Sequence, residues 1–81
     1  MTREMVYERL NPVFRDFFDD ESIMLSDETT ADDIEDWDSF EHINLIVAIE
    51  SEFSITIPMG KTLTMKNVGE MVDTILQLLS E

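Results

Sequence analysis

Asp38, Ser39 and His42 fall together in the stretch Asp36-Trp37-Asp38-Ser39-Phe40-Glu41-His42-Ile43, and an acid, a hydroxyl and an imidazole are the parts of a hydrolytic triad. A triad needs the imidazole aimed at the hydroxyl and a third group orienting the imidazole. The spacing opposes that. Asp38 reads as the N-cap of a helix and Glu41, three residues on, as its capping-box partner, which puts Ser39 at the first helical position. From there the hydroxyl points to solvent, while His42 turns toward the core side of the same helix and reads as a packing residue at its rim. No Gly-x-Ser-x-Gly elbow and no glycine-rich turn supplies an oxyanion hole. What remains is a serine that an outside enzyme can reach without unfolding anything.

The acidic run from Asp32 to Asp38 holds the residue types of a calcium site. An EF-hand loop needs ligands at alternating positions, glycine at the sixth and a closing glutamate, and no register starting at Asp32 or Asp33 satisfies this. The run therefore predicts weak surface attraction for divalent ions and no structural metal. The formal net charge is −14 over 81 residues. Such a chain repels phosphate, so nucleic acid and anionic membrane are poor partners and a protein with a basic docking patch is a good one. With no cysteine there is neither a disulfide nor a thiolate metal site.

The elements that must position Ser39 follow from periodicity. Val6, Tyr7, Leu10, Val13, Phe14, Phe17 and Phe18 share one helical stripe, unbroken across Pro12, which predicts one helix over about residues 3–18, bent at the proline. Its rival is two short helices with Asn11 as a cap. Residues 19–37 read as a long acidic loop pinned across the bundle by Ile23, Met24, Leu25, Ile34 and Trp37, with Thr30 capping one turn. The helix beginning at Ser39 carries two apolar stripes. His42, Leu45, Ile46, Ile49 and Phe53 form a core face, and Phe40, Ile43 and Val47 form a second stripe about 120° away that a surface helix does not need for its core. A connector from Ser54 to Gly60, a short turn at Lys61–Met65, and a last helix capped by Asn67 and Glu70 complete the chain. Met71 belongs to that helix's core stripe by phase. The sum is an all-α bundle of three main helices and one short one, a single domain over 1–81. About 60–65% of the unfolded chain's surface is buried in a domain this small, which leaves little room for an enclosed active site. The N-terminus lacks a signal-peptide pattern and no apolar run is long enough to span a bilayer, so a cytoplasmic monomer is expected.

The Asp-Ser-Phe start, the apolar helix closed by Glu50-Ser51-Glu52-Phe53 and the Ile55-Thr56-Ile57-Pro58 that follows resemble the acyl carrier protein family over residues 30–79. The resemblance implies that the chain is no enzyme. It implies that Ser39 receives 4'-phosphopantetheine from coenzyme A through a phosphopantetheinyl transferase, and that the arm's thiol then carries an acyl or aminoacyl group as a thioester. On that reading Asp38, Glu41 and Glu50 meet basic patches on loading and processing enzymes, and Phe40, Ile43 and Val47 form the apolar centre of the docking face. Trp37 stands where the family's fatty-acid pattern has a glycine-containing approach, and Phe40 where that pattern has leucine. The Trp-Asp-Ser approach followed by histidine resembles carriers of specialised pathways. From another class, an acidic helical adaptor whose serine is never modified fits the same surface.

Overall fold

The first helix forms where the apolar stripe predicts it. Thr2 accepts the Met5 N–H at 3.2 Å, Glu4 faces the positive end of the helix, and α1 runs over Arg3–Phe18. The computed structural model describes residues 1–80, all of the chain but its last residue. Pro12 lies inside α1 on the exposed face, so the missing N–H and the ring fall away from the core and the helix continues through it. Asp19 ends it in the left-handed conformation, with φ at 51°. Val6, Leu10 and Phe14 are fully buried.

The long loop is anchored as the spaced apolar residues predict, with one exception. Ile23, Leu25 and Trp37 are buried and Ile34 is half-buried, but Met24 is 79% exposed and anchors nothing. Neighbours at 23 and 25 already point inward, and in extended chain the residue between them must point out. Polar side chains of α1 hold the same segment. Asn11, which caps nothing, accepts the Leu25 N–H at 2.8 Å, and Arg15 donates to the Ile23 carbonyl at 2.7 Å. Thr30 opens a 3₁₀ turn over Ala31–Asp33, whose last carboxylate accepts the Thr30 N–H at 2.9 Å.

The second helix, α2, spans Ser39–Phe53 and packs against α1. A short helix, α3, covers Met59–Thr62, earlier than the expected turn at Lys61–Met65. The reason is Pro58. Its extended backbone presents a carbonyl that accepts the N–H groups of Lys61 and Thr62, each at 3.0 Å, so the turn closes at once. The last helix, α4, spans Val68–Ser80 and buries Val68, Met71, Val72 and Ile75 against α1. Asn67 accepts the Glu70 N–H at 2.9 Å, one half of the expected capping box, while the Glu70 carboxylate makes no return bond among the described residues. Among the described residues there is no strand.

The start of α4 is stitched to the loop. Val68 donates to the Thr29 carbonyl at 2.8 Å and Gly69 to the Asp27 carbonyl at 3.0 Å. This approach requires glycine, because a Cβ at position 69 lies 2.9 Å from the Asp27 oxygen. Arg3 crosses the junction, donating to Asp27 at 2.8 Å, Asp73 at 2.6 Å and the Gly69 carbonyl at 3.2 Å. The Tyr7 hydroxyl also donates to Asp27. That bond, with help from Arg3, holds the Asp27 carboxyl below its ordinary range. Burial, and then the same bond, push the Tyr7 phenol up to about 12.

Candidate functional site

Ser39 is the first residue of α2 and is exposed, as its place in the sequence predicts. Asp38 precedes it as N-cap, accepting the Glu41 N–H at 2.8 Å through its side chain and the His42 N–H at 2.9 Å through its carbonyl. Only this half of the expected capping box forms, since the Glu41 carboxylate makes no return bond among the described residues. The Ser39 hydroxyl has no hydrogen-bond partner among them either. Among the described residues no buried side-chain polar atom is unpaired, whereas the exposed Ser39 hydroxyl depends on water.

His42 cannot serve it as a base. The indole of Trp37 donates to His42 Nδ1 at 3.0 Å, and indole nitrogen is a donor only. That makes Nδ1 the acceptor and places the proton on Nε2, which donates to the Thr62 carbonyl at 2.9 Å. Both ring nitrogens are committed, so the triad reading ends here. Instead the imidazole stacks on Trp37, with centroids 5.8 Å apart, and ties the head of α2 to α3. Trp37 in turn meets Phe14 edge-on at 5.2 Å, which connects the serine's approach to the core. Thr62 completes the tie: it is buried, and its hydroxyl donates to the Pro58 carbonyl at 3.2 Å. Nothing in the sequence pattern marked Thr62.

Beside Ser39 opens a groove of about 470 Å³, bounded by the 3₁₀ turn, the head of α2, α3 and the link into α4. Trp37, Met65 and Met71 give it an apolar wall, and Asp32, Asp38 and Lys66 are its charged residues. The two stripes of α2 separate as expected. Leu45 and Ile49 are fully buried, while Phe40 is 76% exposed, Val47 60% and Ile43 38%. Among the acidic residues assigned to the same face, Asp38 is exposed and Glu41 is half-buried. Glu50 has a structural task that sequence reading missed, because its carboxylate accepts the Ile57 N–H at 2.6 Å and holds the connector.

No protein-family model and no curated protein matches the chain. Solved structures do. The solution NMR structure of a holo acyl carrier protein from Geobacter metallireducens is 43% identical over 93% of this chain and 86% of its own, with a TM-score of 0.86. Identity at that level over nearly the whole length, on the same all-helical architecture, carries more than a shared fold. Together with a free serine at the head of an uncovered helix, it shows that the chain belongs to the acyl carrier protein family, a family of carriers rather than enzymes.

Proposed function

We propose that Ser39 is the attachment site of 4'-phosphopantetheine and that the chain presents acyl or aminoacyl groups to partner enzymes of a specialised biosynthetic pathway, as a cytoplasmic monomer. The observation that carries this reading is the Ser39 hydroxyl, exposed, without a partner among the described residues, and seated at the head of the helix whose second apolar stripe is uncovered. The residues present fit the group: the hydroxyl is free and an open groove adjoins it. The arm supplies a thiol that holds cargo as a thioester, which a cysteine-free chain cannot do alone.

Attachment is a phosphoryl transfer. Ser39 Oγ forms a bond to the phosphorus of coenzyme A's pyrophosphate, the phosphoanhydride bond breaks, 3',5'-ADP leaves, and the hydroxyl proton passes to the transferase. The protein keeps Ser39 in place through the Asp38 cap and the His42 tie. Recognition follows from the same helix. Asp38 and Glu41 draw a basic patch of the partner toward the acidic domain, and Phe40, Ile43 and Val47 set the register once contact is made. Phe40 gives a broader apolar contact than leucine, which supports partners distinct from those of fatty-acid synthesis.

The test is an intact mass after incubation with coenzyme A and a broad-specificity phosphopantetheinyl transferase. A rise of one arm in the wild type and none in Ser39→Ala is expected, with folding of the variant nearly unchanged because Ser39 is not the cap. A wild-type mass that stays put leaves the acidic adaptor as the better account. Transfer to the alanine variant rules out Ser39.

A further inference from the structure

Five cations face nineteen carboxylates in this chain, and four of the five are engaged. Arg3 binds Asp27 and Asp73, Arg9 binds Glu52, Arg15 donates to the Ile23 carbonyl and Lys61 to Gln77. Lys66 donates to none of the described residues, although carboxylates abound. It sits exposed on the link between α3 and α4 and lines the groove beside Ser39, where the other charged residues are Asp32 and Asp38. Also at the groove, the N–H groups of Ser39 and Phe40 have no acceptor among the described residues. Asp38 serves only Glu41 and His42, so the positive end of α2 is left open.

We propose that Lys66 is the counter-ion of the phosphodiester formed at Ser39, so that the arm leaves the helix across the groove, between the head of α2 and the α3–α4 link. This rests on the assignment of Ser39. The diester adds a full negative charge to a groove whose two carboxylates already outnumber its one cation. Ser39 and Lys66 line the same groove of about 470 Å³, and with a Debye length of about 8 Å at physiological ionic strength their attraction depends on salt. An ammonium is a flexible point charge that suits a monoanionic diester and needs no bidentate geometry.

Wild type, Lys66→Gln and Lys66→Arg are each treated with coenzyme A and a phosphopantetheinyl transferase, and attachment at Ser39 is read by intact mass and peptide mapping. NMR then follows the diester phosphorus signal and the lysine side-chain methylene signals, before and after attachment. The Lys66 signals are expected to shift on attachment while those of Lys61 do not. The phosphorus signal of Lys66→Gln is expected to move and sharpen relative to wild type, and that of Lys66→Arg to stay near it. The difference should vanish near 1 M salt, where the Debye length is about 3 Å. Unmoved Lys66 signals on a fully attached sample, or a phosphorus signal unaffected by Lys66→Gln at low salt, overturn the counter-ion and leave Ser39 standing. A mass that does not rise removes the Ser39 assignment and the counter-ion with it.

Discussion

At the junction of α1, the loop and α4, Arg3 reaches two carboxylates and a carbonyl, Tyr7 of the same helix adds its hydroxyl, and the first amides of α4 are taken by loop carbonyls. At the head of α2 the first amides and the Ser39 hydroxyl go unpaired among the described residues, Phe40 and, further along the helix, Val47 stand in water, and one histidine bridge holds α3 close. Both regions are built on the same core, so the difference is not one of foldedness. It lies in which polar groups the chain satisfies internally. Groups at the junction are saturated, and so they specify structure. Groups at the head of α2 are left for water or for a partner, which is where recognition can gain free energy.

The sharpest way to break this contrast is within α2. Ile49 is fully buried, and Ile49→Ala is expected to cost about 2–5 kcal/mol of stability. Val47→Ala, two residues away but exposed, is expected to cost less than about 0.5 kcal/mol and to slow arm transfer or partner turnover instead. Thermal melts and transfer kinetics on the two variants decide it. Equal destabilisation with normal kinetics for Val47→Ala makes the second stripe ordinary core and removes the docking face.

At the junction, Gly69→Ala forces a Cβ against the Asp27 carbonyl, which is backbone and cannot swing aside. A loss of roughly 1–3 kcal/mol is expected from this overpacking. Hydrogen exchange should speed up at the Val68 and Gly69 amides and in the loop, while the head of α2 keeps its wild-type pattern. Protection lost equally in both regions shows that they do not act as separate units.

Asp38→Ala tests the site's own scaffold. Losing the cap at Glu41 should cost about 1 kcal/mol and fray the first turn, so arm transfer should fall more than Ser39's unchanged chemistry implies. Asp38→Ser, which restores a cap without the charge, separates positioning from attraction. Recovery of stability without recovery of transfer rate assigns the rest of the effect to charge.

The smallest effects come with pH. A lowered Asp27 carboxyl contributes stability that is present above its unfolded value of 3.8 and lost as pH falls through the lower folded one. Tyr7 works in the other direction. Its contribution is complete below the unfolded value of 10.0 and disappears as pH rises through about 12. The chain has a single tyrosine, so phenolate absorbance reads this titration directly. Tyr7→Phe should move the acid limb of the melting curve toward higher pH, because Asp27 loses the bond that lowers it most. A phenolate midpoint at the ordinary value means that the Tyr7–Asp27 bond is not held in solution.

Much of this architecture was legible because its signals act over four residues or fewer. The stripe through Pro12, the Asp38 and Asn67 caps, the placement of Ser39 at a helix start and the division of α2 into a buried and an uncovered face are all local matters of period and cap. Where the reading slipped, the path of the folded chain had decided which way a residue points and which group it meets, even within a few residues. Met24 is exposed because its two neighbours claimed the inward positions, and α3 starts at Met59 because Pro58 offers its carbonyl to two amides. Glu50 has a structural task beside the docking role expected of it, since it holds the Ile57 amide, and only one side of the Asp38–Glu41 box closed.

The sequence by itself determined the helices, the caps and the place of Ser39 at the head of α2, since each rests on contacts that a single turn can make. Only the tertiary structure decided which groups are already spent. The tautomer of His42 depends on Trp37 and Thr62 together, the need for glycine at 69 on a loop carbonyl far back in the chain, and the lack of a partner for Lys66 among the described residues on where the other cations found theirs. These are outcomes of packing, in which a polar group's role is set by whatever chain segment reaches it first, and no local pattern encodes that.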